Sequence, residues 1–211
     1  FMLSPHNQRV IFAGSNRLFK SLDQGRTWTM SPDLTKNVDK DEIEIMGQYN
    51  SLPRCRPWIR GEECILSRND GVNQYSTIVS ITESTLMPGL LWVGTDDGNI
   101  QLSQDGGSTW TEVGTNIPGG TQNYYVSRVE ASHADPATAY ASLDGHRSDD
   151  LRPYIYMTND FGETWTSIES DLPSFGNVRT IREDPKNRDL LYAGTEFGFY
   201  ISINGGDNWH Q

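Results

Sequence analysis

The chain has 211 residues and a net charge of −11 at pH 7, from 17 lysines and arginines against 28 aspartates and glutamates. Such an acidic surface repels phosphate backbones and anionic lipids, so the composition argues against nucleic acid and bare membrane as partners. The sequence has no apolar run of about 18 residues, so it predicts no membrane insertion.

Residues 1–30 predict the first unit of a repeat. Two short apolar runs, 10–14 and 18–20, have the pattern of strands, and a turn signal at 4–7 precedes them. They lead into an eight-residue pattern, Ser-x-Asp-x-Gly-x-Thr-Trp, which we call the box motif. Its marker residues here are Asp23, Gly25 and Trp28. We expect this unit to begin inside its first strand.

Residues 31–71 carry no box motif, and we interpret them as a loop insertion, with a degenerate extra unit as the alternative. The segment contains Cys55 and Cys64. These two cysteines predict a local disulfide, which would imply an oxidising compartment, with free thiols as the alternative. Trp58 lies between them and could stack on a sugar or a partner, or pack the loop onto the rest of the fold.

Three further units, 72–112, 123–170 and 176–211, repeat the same order of strands and motif. The predicted strands are 77–82, 90–95 and 100–102, then 126–132, 138–143 and 155–157, then 178–182, 190–195 and 199–201. The box residues are Asp105, Gly107 and Trp110 in the second unit, Asp160, Gly162 and Trp165 in the third, and Asn204, Gly206 and Trp209 in the fourth. We expect the last unit to be truncated at its end.

The box motif has the composition of a tight hairpin turn. Its Asp or Asn can accept backbone hydrogen bonds, its Gly permits a positive φ, and its Thr and Trp are expected to begin the next strand. We expect all box residues to be structural. Four copies in register predict an all-β fold, a β-propeller of four-stranded antiparallel blades with strands A to D and the box between C and D.

About four blades are present in the chain. Successive box tryptophans lie 82, 55 and 44 residues apart, and the last spacing approaches the period of about 40–45 residues that is typical of such blades. Most propellers have more than four blades. We therefore expect a partial propeller, whose partners include the remaining blades of a longer chain, with a complete four-blade ring as the alternative.

The box motifs resemble the Asp boxes of the bacterial neuraminidase (BNR) repeat superfamily, which includes sialidases, xyloglucanase-like glycosidases and sortilin-type receptors. The chain is most similar to bacterial sortilin-like BNR-repeat proteins, and the similarity is densest at 126–132, 144–150, 182–187 and 190–198. It covers nearly the whole chain, more loosely over 31–71. The resemblance implies the propeller fold and a secreted or periplasmic location. It supplies no catalytic residues, because the Asp box occurs in enzymes and receptors alike.

The B–C and D–A loops of a propeller emerge on the face opposite the boxes, and long loops on one rigid face commonly carry function. The candidate loops are 31–71, 95–99, 113–123, 144–153 and 196–198. The main candidate ligand-binding residues are Asp144, His146, Arg147, Asp149 and Asp150. They could bind a polar ligand or hold an acid–base group. The alternative is a network in which Arg147 pairs with the carboxylates and pins the loop.

Two further groups of charged residues are candidates. Asp96 and Asp97 could bind a cation, or they could simply form a turn. The charged residues on or beside the predicted A strands, which line the central channel, are Arg128, Glu130, Arg179, Arg182 and Glu183. We expect them to form ion pairs between blades; an arginine cluster that binds a carboxylate is the alternative.

The sequence favours a binding or interaction module that presents its loop face to a protein or polysaccharide. No nucleophile motif, metal-ligand spacing or phosphate loop is present, and we expect neither a metal nor a cofactor. The first alternative is a glycoside hydrolase with paired carboxylates. A sialidase would need a tyrosine nucleophile; Tyr124 and Tyr125 are available, but no motif marks either. The second alternative is a structural component of a surface assembly.

Overall fold

The computed structural model describes residues 1–38 and 75–211. The expected disulfide between Cys55 and Cys64, and the candidate Trp58, lie outside the described residues. The described part is all-β apart from two single 3₁₀ turns, Gly114–Asn116 and His146–Ser148. It contains no helix long and apolar enough to cross a membrane.

The strands form four consecutive antiparallel sheets, and within each sheet the spatial order follows the sequence. The first sheet contains β1 (Met2–Leu3), β2 (Ile11–Gly14), β3 (Arg17–Ser21) and β4 (Thr29–Asp33). The second contains β5 (Ile78–Glu83), β6 (Leu91–Thr95), β7 (Ile100–Ser103) and β8 (Thr111–Glu112). The third contains β9 (Tyr125–Ala131), β10 (Ala139–Asp144), β11 (Tyr154–Thr158) and β12 (Thr166–Ser167). The fourth contains β13 (Val178–Asp184), β14 (Asn187–Thr195) and β15 (Phe199–Ser202).

The fourth sheet has three strands. In place of an outermost strand, His210 forms a single antiparallel bridge with Ile201 of β15. The innermost strands β5, β9 and β13 contact one another from sheet to sheet. The sheets are therefore blades arranged around a common axis, and the fold is a partial β-propeller.

The outermost strands begin later than the sequence predicts. In the first three blades they start at Thr29, Thr111 and Thr166, directly after the box tryptophan. The preceding box threonine still belongs to the turn, because its backbone N–H donates to the box aspartate; from Thr27 to Asp23 this distance is 2.8 Å. The expectation that Thr and Trp begin the next strand is therefore wrong.

Neighbouring blades interlock through a glycine on strand B and a β-branched residue at the start of the next strand A. A Cβ added at Gly14 would lie 2.7 Å from Ile78 Cγ2, and one added at Gly94 would lie 2.5 Å from Val126 Cγ1. Both separations are too short for real carbon atoms, so each glycine forms a notch that the next blade fills. At the equivalent Gly194 of the fourth blade, the nearest atom is Thr180 Cγ2 of the same sheet, at 3.0 Å.

The box tryptophans contact the neighbouring blade in two ways. Trp165 and Trp209 are buried, and their indole N–H groups donate to backbone carbonyls of the preceding blade, at Val113 (3.1 Å) and Ile168 (2.9 Å). Trp110 instead donates to the carbonyl of its own box glycine at 3.1 Å and packs against an apolar cluster that the first and second blades share. The box tryptophans thus help to join successive blades.

Candidate functional site

The B–C and D–A loops form one continuous layer at one face of the blades. Between the first two blades, Asn99 Nδ2 donates to the Leu34 carbonyl at 2.8 Å. Between the third and fourth blades, Asn177 Nδ2 donates to the Asp150 carbonyl at 3.0 Å. Because these bonds link loops that are distant in sequence, they hold the loops of neighbouring blades together.

The box turns lie at the opposite face, beside the A–B turns. In every blade the fourth box residue donates its backbone N–H to a carbonyl of the A–B turn or, in the fourth blade, to one near the start of β14. The pairs are Gln24 to Arg9 (2.9 Å), Gly106 to Gly89 (2.9 Å), Phe161 to Ala137 (3.0 Å) and Gly205 to Asp189 (2.9 Å). This repeated bond fixes the box turn to the end of its own sheet, away from the loop layer.

A cavity of about 330 Å³ opens in the loop layer between the third and fourth blades. It forms where β9 begins, β10 ends and β13 begins, so three strands hold its walls. Its lining residues are Tyr125, Ser127, Asp144, His146, Arg147 and Arg179. The structure thus brings together three of the candidate ligand-binding residues, Asp144, His146 and Arg147, with one residue expected in the channel, Arg179.

Asp144 is a buried lining residue that bonds two other side chains of the cavity, His146 and Arg179. Its side chain is 1% exposed. Oδ1 accepts hydrogen bonds from the His146 backbone N–H at 2.9 Å and from His146 Nδ1 at 2.7 Å, and Oδ2 accepts one from Arg179 Nη1. A histidine that donates through Nδ1 presents Nε2 as its remaining polar atom. Within residues 1–38 and 75–211, His146 Nε2 has no hydrogen-bond partner, and the side chain is 44% exposed.

Arg147 occupies a defined position between two aromatic rings. Its guanidinium carbon lies 5.2 Å from the centre of the Tyr125 ring and 5.7 Å from that of the Tyr75 ring. Both separations fall within the range of cation–π attraction. Burial raises the pKa of the Tyr125 hydroxyl, although the Arg147 charge opposes this shift, so Tyr125 keeps its proton at neutral pH.

Asp150 pins the loop beside the cavity instead of lining it. Its carboxylate accepts two hydrogen bonds from Arg152, at 2.9 Å from Nε and 2.6 Å from Nη2. The hydroxyls of Tyr124 and Tyr154 donate to it at 2.9 and 2.7 Å. The Arg152 bonds, more than any other contact, hold the pKa of this carboxyl well below its usual range. The arginines that bond Asp144 and Asp150 are thus Arg179 and Arg152, whereas the sequence suggested Arg147.

Asp149 also lies outside the cavity. It is exposed and has a left-handed backbone, with φ at 59°, directly after the 3₁₀ turn His146–Ser148. This residue therefore reverses the chain direction within the loop.

Asp96 and Asp97 are both buried and hydrogen-bonded. Asp96 Oδ1 accepts the Thr77 N–H at 2.6 Å, and burial raises the pKa of its carboxyl. Asp97 accepts from the Thr95 hydroxyl at 2.5 Å and from the Lys36 N–H at 2.9 Å. The Thr95 bond is local to the turn, whereas the Thr77 and Lys36 bonds join the turn to the start of strand A and to the loop after β4. Across the ranges 1–38 and 75–211, no group of three or more His, Cys, Asp and Glu side chains could hold a metal ion.

The charged residues of the innermost strands pair partly as expected. Glu130 Oε2 accepts hydrogen bonds from Arg128 Nη2 at 2.7 Å and, across the blade boundary, from Arg182 Nη1 at 2.6 Å. Glu183 differs, because its Oε1 accepts the His133 backbone N–H at 2.8 Å. Arg179 lies at the loop end of β13 and pairs with Asp144 through Nη1. Its Nη2 lies 3.6 Å from Glu196 Oε1.

Sequence reasoning did not place Ser127 or Arg179 at the site. Ser127 Oγ lies within hydrogen-bond distance of the carbonyls of Ser142 (3.0 Å) and Val178 (2.7 Å), to one of which it donates its single proton, so it lies at the cavity wall between the two blades. Their positions in the strands could have identified them, because both residues lie within the first three positions of an innermost strand, next to the loop face.

No protein-family model matches the chain. Among curated proteins, it is 23% identical over 190 residues to an oligoxyloglucan-reducing end-specific xyloglucanase of Emericella nidulans, covering 84% of this chain and 22% of that protein. It is 27% identical over 121 residues to the photosystem II assembly lipoprotein Ycf48 of Synechococcus sp., covering 56% of this chain and 28% of the relative. The chain thus spans about a quarter of the length of these relatives.

Solved structures of GH74 enzymes share the fold. The Niastella koreensis GH74 enzyme superposes with a TM-score of 0.63 at 19% identity, over 99% of this chain and 28% of the enzyme. The Xanthomonas campestris GH74 xyloglucanase superposes with a TM-score of 0.64 at 17% identity, over 99% of this chain and 29% of the enzyme. At these identities the comparison establishes the propeller fold alone.

Proposed function

We propose that the chain is part of an extracellular or periplasmic propeller, of the sortilin-like BNR-repeat type, that binds a protein or polysaccharide through its loop face. The observation that carries the proposal is the cavity beneath His146, Arg147 and Arg179. It is concave, it is held by strands of two blades, and it presents polar groups that converge on one space. Ligand sites commonly combine these properties.

The relatives support a binding role without selecting the ligand. One is named for action on xyloglucan oligosaccharides and the other for assembly of a photosystem. Rigid loop faces of propellers serve such different functions because the loops vary while the blades do not. The rigid blades and the cavity at the loop face support the proposal of a module that binds a ligand.

A glycoside hydrolase is the second candidate, and one observation favours it. Asp96 is a buried carboxyl at the loop face, close enough to Arg147 for the two charges to interact, and burial raises its pKa. A raised carboxyl pKa is the property that a general acid needs. Against this role, Asp96 already accepts the Thr77 N–H.

The test compares binding and cleavage in the same samples. The immobilised chain is exposed to xyloglucan, other neutral polysaccharides and acidic polysaccharides, and both retention and newly released reducing ends are measured. Asp144→Asn changes the cavity, and Asp23→Asn makes the same chemical change at the box face.

We expect retention of at least one polymer, weaker retention by Asp144→Asn, unchanged retention by Asp23→Asn, and no release of reducing ends. If no polymer is retained, or if both variants bind as the parent does, a polysaccharide-binding loop face is contradicted. Release of reducing ends that Asp96→Asn abolishes would replace the binding module with the hydrolase.

A further inference from the structure

We infer that the gap between the outer edges of the first and second blades is a binding site for a small carboxylate with a branched aliphatic body. The gap is a cavity of about 330 Å³. The first blade contributes Leu18, Lys20 and residues 29–32 to its walls, and the second contributes its box residues 106–108. Because it lies beside a box turn, this site is separate from the loop face and does not depend on the binding function proposed there.

The other two blade boundaries are closed at the same place by an aliphatic side chain. A Cβ added at the box glycine Gly162 would lie 2.7 Å from Val113 Cβ, and one added at Gly206 would lie 2.9 Å from Ile168 Cβ. Val113 and Ile168 each stand three positions after the box tryptophan of the preceding blade. A branched aliphatic group therefore fits against the box glycine of the next blade.

The boundary between the first and second blades lacks this contact. The residue three positions after the first box tryptophan is Ser31, whose side chain is shorter. The atoms nearest to a Cβ added at Gly107 belong to Trp110 and Leu91 of the same blade, at 3.5 and 3.7 Å. The place that an aliphatic side chain fills at the other boundaries is thus part of the cavity here.

Lys20 also departs from the pattern of the other blades. Lys20, Leu102 and Met157 hold the same position of strand C, each opposite the aromatic residue of strand B. The first blade therefore has an ammonium group and a hydroxyl where its neighbours have apolar side chains. Positions that break a rule shared by the rest of a fold are often functional.

The charge of Lys20 is available to a ligand. Its Nζ donates to the Gly106 carbonyl at 2.9 Å, and an ammonium group has two further donors. The lining residues include no carboxylate, and in the described part of the chain Lys20 forms no ion pair. Asp105, which precedes Gly106, uses both oxygens in its own turn, where they accept bonds from the N–H and the hydroxyl of Thr109.

Arg17 approaches the same strand but is not counted as a ligand-binding group. Its Nη1 donates to the Ser31 carbonyl at 3.0 Å, and its charge interacts with Asp33. A charged hydrogen bond from Lys20 to a carboxylate is short and strong. Lys20 is therefore the group that would hold the acid.

The rest of the lining favours a compact ligand of mixed polarity. Leu18, Met30 and Pro32 offer apolar surface to an aliphatic body. The backbone N–H groups of Gly106 and Gly107 already donate within their own blade, so an extended peptide would find no free donors there. A free short-chain acid and the C-terminal residue of a peptide both have the required chemistry, a carboxylate on a branched aliphatic group.

Matched small ligands test the inference and separate the two sources. 3-Methylbutanoate is titrated into the 211-residue chain by NMR, alongside 3-methylbutanamide, which keeps the shape without the charge, and acetate, which keeps the charge without the branched body. N-acetylvaline and N-acetylvalinamide make the same comparison for a peptide C-terminus. We expect the better of the two branched carboxylates to bind at least about tenfold more tightly than its own amide, as one charged hydrogen bond permits, and more tightly than acetate.

Two variants locate the binding. Lys20→Met introduces the residue type that Met157 has at this position and should weaken binding by about tenfold. Ser31→Thr keeps the hydroxyl that accepts the Leu18 N–H at 2.9 Å and adds a methyl group to the cavity, which should also weaken binding by about tenfold. Lys186→Met removes the same charge from an exposed turn of the fourth blade and should leave binding unchanged.

Thermal unfolding of each variant shows whether it keeps the fold. Should Lys20→Met fail to fold, Ser31→Thr retains the test. Equal binding of the carboxylates and their amides, binding of acetate as tight as that of the branched acids, or an equal loss in Lys186→Met would each overturn the site. Absence of any saturable shift at residues 18–32 and 106–108 would do the same, whereas retention of polysaccharide by the loop face is measured independently of these residues.

Discussion

Each box turn places two consecutive residues in the left-handed region of φ. The fourth box residue has φ of 64° at Gln24 and 58° at Phe161, whereas the fifth is glycine in every copy, with φ of 82° at Gly162. The fifth residue also donates its N–H to the first box side chain, from Gly162 to Thr158 at 2.9 Å. A residue with a Cβ is thus tolerated at the first left-handed position. At Gln24 and Phe161 the backbone N–H of this residue donates to a carbonyl of the A–B turn.

The box aspartates predict a specific dependence of stability on pH. Asp105 accepts bonds from the hydroxyl and N–H of Thr109, and these contacts lower the pKa of its carboxyl to about 2. A pKa lowered in the folded state stabilises the protein above pH 3.8, and this contribution disappears as the pH falls towards 2. In Asp105→Asn, the loss of stability between pH 6 and pH 2.5 should therefore be smaller than in the parent.

Thermal unfolding midpoints at the two pH values measure this difference. Asn204 shows that an amide fits the turn, since its Oδ1 accepts the Asn208 N–H at 3.0 Å. Asp207→Asn, at an exposed position of the fourth turn, is the matched control. An acid sensitivity of Asp105→Asn equal to that of the parent and of the control would contradict the stated role of the carboxylate.

At the level of the blades, the glycine notch on strand B sets how closely the sheets approach. Val126 fills the notch at Gly94, while the equivalent Gly194 meets only an atom of its own sheet. Gly94→Ala should therefore lower the free energy of unfolding by about 1–3 kcal/mol through overpacking. Gly194→Ala should cost less than about 1 kcal/mol, because a single methyl group can shift. Urea unfolding of both variants measures the contrast, and equal losses would argue against the notch.

An ion pair between Glu130 and Arg182 also connects neighbouring blades, the third and the fourth. Glu130 receives bonds from Arg128 on its own strand and from Arg182 on the next blade, and its side chain is 7% exposed. A double-mutant cycle of Glu130→Gln and Arg182→Gln should give a coupling energy of roughly 0.5–3 kcal/mol in urea unfolding. Additive losses would show that the cross-blade bond contributes nothing.

Over the whole molecule, the outward sides of the first and fourth blades expose apolar side chains. Phe199 is 56% exposed, although the equivalent positions of the other blades, Leu18, Ile100 and Ile155, are buried. Trp28 is 45% exposed, unlike Trp165 and Trp209. Exposed apolar patches of this kind promote association.

We therefore predict that the 211-residue chain self-associates through these two sides. In sedimentation velocity, its mean mass should rise with concentration, and Phe199→Ser should reduce the rise. Leu86→Ser is the control, because Leu86 is 46% exposed on a turn of an inner blade. A monomer at all concentrations would contradict this prediction.

The sequence predicted the blades well and the site only in part. The box residues and short strands are local patterns that four copies reinforce, so they are readable without tertiary information. The cavity depends on contacts between blades, which bring Tyr125 and Arg179 together from strands 54 positions apart. Which arginine pairs with which carboxylate depends on the 3₁₀ turn and on the left-handed Asp149, and neither follows from composition.

Hydrogen exchange with and without a polysaccharide that the immobilised chain retains tests the binding role of the loop face, because it reports on both faces of the propeller at once. We expect slower exchange in the loop 144–153 and at the start of β13, around Arg179, with no change in the box turns 103–110 and 158–165. Protection confined to the box turns, or no protection in the loop when the polymer is bound, would contradict it.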